Sequence, residues 1–157
     1  MIASLNGTVV SLESGSAVID VSGVGYLVQL TSATAFQLRI NSPAFLFTSF
    51  VVREDGFTLF GFATVAEQKV FDLLRSVSGV GPKSALAILG ELSVDQIVDA
   101  VAAENDAAFK AVTGIGPKTA KLISVTLAGK LGATSGTAGR TVGSDLSVVI
   151  NALTGLG

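Results

Sequence analysis

The segments VSGVGPKSALAI at residues 77–88 and VTGIGPKTAKLI at residues 112–123 decide how the second half of this sequence folds. Placed over each other at a constant offset of 35 residues, they share valine, two glycines, proline, lysine, alanine and isoleucine. Three further positions differ only by conservative exchanges, such as serine for threonine. Agreement of this kind indicates a structural unit that occurs twice.

Each copy predicts a tight turn that leads into a helix. In the first copy, Gly79 and Gly81 surround Val80. The two glycines allow backbone conformations that other residues resist, and Val80 can point inward and anchor the turn. Pro82 suits the first helical position because it has no N–H group to leave unpaired.

The start of the predicted helix is suited to binding a phosphate. Lys83 and Ser84 open a helix whose free N–H groups and dipole favour an anion. The result is a set of backbone donors for one phosphate, with a lysine beside it. The second copy repeats this arrangement at Gly114, Ile115, Gly116, Lys118 and Thr119.

The alternative is that each glycine pattern makes an interhelical turn and binds nothing, since a single glycine pattern is a weak signal. Two copies with Pro-Lys-Ser/Thr in the same places favour the phosphate site. Backbone amides also suit the charge of this chain, which is −2 overall, with seven basic and seven acidic residues in 63–132. Such amides hold phosphates without a broadly basic surface and without reading base sequence.

Residues 1–62 contain five short apolar runs separated by turn signals, which predicts a small closed β-barrel of the OB type. The Asp55-Gly56 dipeptide predicts a hairpin turn that puts Glu54 and Asp55 at a protruding tip. Phenylalanines are frequent here, and filling the core is favoured over a base-stacking platform for single strands. They are Phe45, Phe47, Phe50, Phe57, Phe60 and Phe62.

Residues 63–132 have helical periodicity and predict an all-helical domain of about five short helices. Thr64-x-x-Glu67 and Ser93-x-x-Gln96 are its helix-start signals. Residues 133–143 are small and polar, which predicts a flexible linker. Residues 144–157 predict one amphipathic helix, a fragment of a further helical domain. The fold class is therefore α+β with several domains.

The composition weighs against catalysis. The sequence has no cysteine and no histidine, so it lacks the commonest nucleophile, general base and metal ligands. We expect no catalytic residue, no metal and no cofactor. Mean hydropathy is +0.67, but no apolar run reaches the roughly 20 residues that a membrane span needs. The N-terminus has no secretory signal, and we expect a cytoplasmic protein with no membrane association.

The two GhGPK[ST] units, where h is an apolar residue, look like helix–hairpin–helix motifs. Further segments narrow the resemblance: MIASLNGTVV at the start, GVGY at residues 23–26, and FVVRED at residues 50–55 followed by LFGF at 59–62. With the order of barrel, paired motifs and linker, the chain resembles the RuvA family of Holliday-junction branch-migration proteins over essentially its whole length.

The resemblance implies a homotetramer that binds a four-way DNA junction in recombination and repair and holds it open for the ATPase motor RuvB. One tetramer and two tetramers face to face remain alternatives, and the resolvase RuvC is a further candidate partner. Both helix–hairpin–helix units would grip the minor-groove side of one duplex arm. The chain itself would perform no chemistry.

The resemblance also assigns Glu54 and Asp55 to the family's acidic pin at the junction centre, where carboxylates repel phosphates. Arg53 is a candidate contact near the crossover, or else a surface cation that balances Glu54. Lys121 is a candidate phosphate contact, with exposure to solvent as the alternative. Only residues from Asp145 to about Leu153 resemble the family's motor-binding domain, so we expect junction binding with weak motor engagement.

Two alternatives of other classes remain open from the residues alone. Helix–hairpin–helix modules also occur in DNA glycosylases and nucleases, which would make the chain an enzyme. The glycine turns could instead be structural parts of a protein-interaction scaffold. The first predicts cleaved DNA products, and the second predicts that charge reversal at Lys83 and Lys118 leaves DNA affinity unchanged.

Overall fold

The computed structural model describes residues 1–133. The linker and the C-terminal helix expected at residues 133–157 lie outside the described residues, apart from Ala133 at the end of the last helix. The chain divides into two compact units, Met1–Gln68 and a second that begins at Lys69. Each unit is described by itself.

The first unit is a closed barrel of five strands in the order β1-β2-β3-β5-β4. All pairs are antiparallel except the short contact between β3 and β5. The strands are β1 Ser4–Glu13, β2 Ser16–Val21, β3 Val24–Gln29, β4 Pro43–Arg53 and β5 Gly56–Phe62. The barrel of OB type expected for residues 1–62 is confirmed.

Two long strands close the barrel because each pairs with a different neighbour at each end. β1 pairs with β4 over Ser4–Thr8 and continues along β2, with an irregularity between Val9 and Ser11. At Gly7 the strands approach so closely that a Cβ would lie 2.1 Å from the Asp20 carbonyl oxygen. The barrel closes only because this position has no side chain.

The barrel core consists of alternating apolar side chains from every strand. The buried members of this cluster are Leu5, Val9, Ala17, Ile19, Val28, Leu30, Ala35, Ala44, Leu46 and Leu59. Gly61 lies among them, since a Cβ there would come within 2.6 Å of Val28 Cγ1.

A short helix, α1 (Ser32–Gln37), connects β3 to β4 and was not expected from the sequence. The Thr31 hydroxyl caps it by accepting a hydrogen bond from the Thr34 amide at 3.2 Å. The Arg39 side chain donates to the carbonyl oxygen of Phe36 at 2.7 Å. A helix of six residues is too short to show periodicity, so the threonine cap was its only sequence signal.

Five further helices follow: α2 Val65–Arg75, α3 Pro82–Glu91, α4 Val94–Ala102, α5 Asp106–Lys110 and α6 Pro117–Ala133. Both predicted helix starts are confirmed. The Glu67 amide donates to Thr64 Oγ1 at 3.2 Å, and the Thr64 amide donates to Glu67 Oε2 at 3.3 Å. Ser93 and Gln96 make the same reciprocal pair at the start of α4.

The five helices are not all short, since α6 has 17 residues. The core of the helical unit is apolar, and its largest fully buried side chains are Phe71, Leu74, Ile88, Ile97, Phe109, Ile123 and Leu127.

Candidate nucleic-acid interface

The two repeated segments fold into turns with the same hydrogen bonds. The Val80 amide donates to the Val77 carbonyl at 3.1 Å, and the Ile115 amide donates to the Val112 carbonyl at the same distance. Ala85 and Ala120 each begin helical bonding four residues back, at 2.9 Å. We call residues 79–84 the first cradle and residues 114–119 the second cradle.

The apolar residue of each cradle anchors its turn. Val80 and Ile115 are both 6% exposed, so their side chains point into the helical unit as predicted. Burial of these two apolar side chains therefore holds each turn against the helical unit.

The glycines of each cradle have different roles, which corrects the expectation that both relieve backbone strain. Gly79 and Gly114 have φ of +87° and +89°, a region that side chains disfavour. Gly81 has φ −84° and ψ 174°, which any residue adopts. Gly116 also avoids positive φ, and a Cβ there would meet nothing within 4 Å. At Gly116, therefore, no contact with the described residues 1–133 demands glycine.

Each cradle ends in helix amides that have no partner among residues 1–133. The first helical bond of α3 starts at Ala85, so the amides of Lys83 and Ser84 precede it. The N-cap of α3 is Gly81, which has no side chain to accept from them, and Pro82 occupies the first turn as predicted. In the second cradle, Lys118 and Thr119 hold the same places before Ala120.

The structure brings the two cradles together. A Cβ on Gly79 would lie 3.6 Å from Thr119 Oγ1, so the first turn contacts the start of α6. Lys83 and Lys118 are exposed, while Ser84 and Thr119 are half-buried. Lys121, one turn further along α6, is exposed as well. The first turn and the start of α6 are thus neighbours.

The structural repeat extends further back than the sequence alignment showed. Leu74 and Phe109 are both completely buried, and each accepts a hydrogen bond from the valine three residues on, at 3.1 Å. Arg75 and Lys110 follow at the same offset of 35 residues. Leucine and phenylalanine look unrelated in an alignment, so the basic pair that follows them was missed.

Charge is segregated along the helical unit although its sum is near zero. Residues 91–106 hold five acidic residues and no basic one. Residues 107–130 hold four lysines and no acidic residue. The α6 segment that carries the second cradle is therefore purely cationic in its charged residues.

The hairpin between β4 and β5 ends in Glu54 and Asp55, the two residues that the family resemblance assigns to the acidic pin. Arg53 pairs with Gly56 across the hairpin, so Glu54 and Asp55 are the two turn residues. The sequence predicted the turn at Asp55-Gly56, which is one residue further along the chain. Both carboxylates are exposed. Arg53 is exposed too, and within the described residues it forms no ion pair with Glu54.

The phenylalanines of the barrel are not all core residues. Phe60 and Phe62 are buried, as expected. Phe45 is 51% exposed and Phe57 is 73% exposed, so the core-filling interpretation is wrong for these two. Phe47 and Phe50 are half-buried.

Two features are absent from the described residues. Residues 1–133 hold no group of three or more acidic side chains placed to bind a metal ion. No helix in this part of the chain is long and apolar enough to cross a membrane.

Comparison with known proteins supports both units. Residues 1–61 match the family described as RuvA N terminal domain, and residues 71–128 match the SAM-like helix-hairpin-helix tandem. The chain is similar to proteins named Holliday junction branch migration complex subunit RuvA. That of Leifsonia xyli subsp. xyli is 59% identical over 85% of this chain and 64% of its own length. That of Clavibacter sepedonicus is 52% identical over 100% of this chain and 75% of its own.

Proposed function

Because the chain belongs to the RuvA family, we propose that it is a subunit of a Holliday junction branch migration complex. In this role it binds four-way DNA junctions as a homotetramer, without sequence preference, and holds them open. It carries out no chemistry of its own. It serves homologous recombination and DNA repair by bringing the RuvB motor to the junction.

The observation that carries this proposal is the pair of adjacent cradles. Within residues 1–133, each presents two helix amides without an internal partner after its glycines, and at Gly116 the Cβ position is open. A bare backbone lets a phosphate oxygen approach amide hydrogens directly, and the helix dipole favours its charge. Two cradles in contact can hold two phosphates of one duplex arm. Their donors are backbone groups, so the grip ignores base sequence.

The exposed lysines add positive charge close to the cradle amides that would bind phosphate. Lys83 and Lys118 follow the proline of each cradle and stand beside a bound phosphate. Lys121 lies on the cationic segment of α6 and is a further candidate contact. The acidic residues of the helical unit are concentrated elsewhere in its sequence, which keeps repulsion away from this grip.

The acidic pin gives the junction preference. Two exposed carboxylates at a hairpin tip repel phosphates, so continuous duplex is disfavoured where the pin stands. At a junction centre the four strands diverge and leave space for such a tip. Arg53 beside the pin is a candidate partner for a phosphate at the crossover, since no ion pair with Glu54 engages it.

The wider assembly is proposed on the family resemblance alone. RuvB would bind through the C-terminal region, of which residues 144–157 form part, and RuvC is a further candidate partner. Whether one tetramer or two enclose the junction is a separate question for solution experiments.

A gel-shift comparison of a four-way junction with linear duplex of the same sequences tests the proposal. EDTA and excess unlabelled duplex exclude nuclease activity and non-specific binding. We expect the junction to be shifted at competitor levels that remove the duplex complex, with no cleaved strands. Equal binding to both DNAs would contradict the junction role. Unchanged affinity in a Lys83→Glu, Lys118→Glu variant would instead favour a protein scaffold.

A further inference from the structure

The hairpin that ends in the acidic pin has an exposed apolar pair beside its tip. Val52 on β4 and Phe57 on β5 are direct cross-strand partners. Val52 is 61% exposed and Phe57 is 73% exposed. They lie one ladder position before Arg53 and Gly56, the pair that closes the turn.

This pair continues the core side of the hairpin beyond the barrel. Side chains two residues apart on a strand share a face, so Phe50 lies with Val52, and Leu59 lies with Phe57. Leu59 is buried in the barrel core. The Phe50 and Phe57 rings are 5.5 Å apart with an angle of 32° between their planes. One side of the Phe57 ring therefore contacts Phe50, and the rest of the ring is exposed to solvent.

The charges around the pair limit what can cover it. Glu54 and Asp55 follow within a few residues and are both exposed. A phosphate that approached Phe57 would meet two carboxylates, whereas an uncharged nucleobase would not. Aromatic side chains stack on any base, because every base has a π-face. An exposed ring beside two carboxylates thus favours contact with a nucleobase over contact with the phosphate backbone of DNA.

We propose that Phe57 is a stacking platform for a nucleobase that is unpaired at the crossover of a four-way junction, with Val52 flanking it. This proposal rests on the proposed function, which puts the acidic pin at the junction centre. There the carboxylates keep the strand backbones apart, and the separated bases lose their stacking partners. Phe57 replaces one lost partner without reading its identity, so binding stays independent of sequence.

Two immobile junctions test the proposal, one fully paired and one with mismatched bases at the crossover. We expect the wild-type protein to bind the mismatched junction about tenfold more tightly, within the range of one base–aromatic stack. Phe57→Leu should abolish that preference while leaving duplex affinity unchanged. Phe45→Leu is the matched control, because Phe45 is an exposed phenylalanine of the same barrel eight residues before Arg53, and the preference should persist.

A direct readout is photo-crosslinking from 5-iodouracil placed at the crossover. We expect a crosslink to Phe57, lost in Phe57→Leu and absent when the probe lies in the middle of an arm. Equal wild-type affinity for the two junctions and no crosslink to Phe57 would overturn the stacking proposal and leave the junction function standing. Failure of the wild-type protein to prefer any junction over duplex would instead overturn the function itself.

The other occupant for this apolar pair is a second copy of the chain. Size-exclusion chromatography with light scattering on Phe57→Leu distinguishes the two. An unchanged assembly supports the base-stacking role. Loss of assembly without DNA would assign Phe57 to a contact between copies and overturn the proposal.

Discussion

At the scale of single residues, glycines that look alike in the sequence have different roles in this protein. Gly79 and Gly114 have positive φ, a backbone conformation that residues with a side chain disfavour. These two glycines are therefore needed for the chain to fold. Gly116 has neither positive φ nor a neighbour near its missing Cβ. Nothing in residues 1–133 therefore demands glycine there, and a bare backbone suits the close approach of the phosphate that we propose.

Gly116→Ser separates stability from binding. Serine is a good N-cap residue, and its hydroxyl can accept from the amides at the start of α6. We expect unchanged or slightly higher thermal stability and at least tenfold weaker DNA binding, because the hydroxyl takes the donors that a phosphate needs. Differential scanning calorimetry and fluorescence anisotropy measure the two quantities. DNA affinity that survives the substitution would show that these amides do not contact phosphate.

Lys83→Ala with Lys118→Ala reports on the cradle lysines. Each lysine–phosphate contact contributes about −0.9 to the slope of log K against log salt concentration. We expect the slope to become shallower by about 1.8 for each chain bound. Lys69→Ala serves as the control, since Lys69 lies outside both cradles. A slope that stays as steep as in the wild-type protein would remove these lysines from the interface.

At the scale of secondary-structure elements, the cradle is a turn held between a buried side chain and a helix start. Its geometry occurs twice with matching hydrogen bonds, although α2 has 11 residues and α5 only five. The turn therefore depends on its own glycine, apolar anchor and proline, and little on the length of the helix before it.

Gly114→Ala tests the turn itself. Left-handed backbone costs a residue with a side chain about 1–2 kcal/mol, and nothing within 4 Å would crowd the new methyl group. We expect the free energy of unfolding in urea to fall by about that amount. Gly90→Ala in α3 is the matched control. It also points into open space, but in a helix it should stabilise by about 0.5–1 kcal/mol. Equal effects of the two substitutions would contradict the strain argument.

In the proposed function, the β4–β5 hairpin is the element that discriminates between DNA forms. In Glu54→Lys, attraction replaces repulsion at the tip, so we expect tighter binding of plain duplex and a smaller junction preference. Glu13→Lys makes the same change of charge at the β1–β2 hairpin of the same barrel and should leave that preference unchanged. Competition gel shifts measure both. Weaker duplex binding by Glu54→Lys would contradict the proposal that the acidic pin repels duplex phosphates.

At the scale of the whole molecule, the proposed grip lets an acidic protein hold DNA, because its proposed donors are mostly uncharged backbone groups. The chain has a net charge of −2 and a pI near 5.0. Such a grip is weak for one chain, and a four-armed ligand lets several copies act together. Closed symmetry is the usual form of such assemblies.

Native mass spectrometry of the protein with a four-way junction therefore has an expected stoichiometry. With one pair of cradles for each arm, we expect four chains for one junction, or eight if two tetramers enclose it. A linear duplex should give no defined complex of four. One or two chains on a junction would contradict the tetramer while leaving the cradles themselves untouched.

Much of this protein follows from local sequence. The repeated turns, proline-started helices and helix caps were predicted correctly because each depends on a few adjacent residues. The five strands were predicted because each is a short apolar run bounded by turn signals. The closed barrel followed from their number and lengths, and the family resemblance pointed the same way.

Other features were decided only by the tertiary structure. The contact between the two cradles joins residues 40 positions apart, Gly79 and Thr119, and no local pattern contains it. Phe57 and Phe62 are alike in sequence, but Phe57 is 73% exposed near the hairpin tip and Phe62 is 1% exposed at the other end of the same strand. Burial depends on what the rest of the chain places around a side chain. The sequence therefore predicted the local turns, and only the fold decided which side chains are buried and which are exposed.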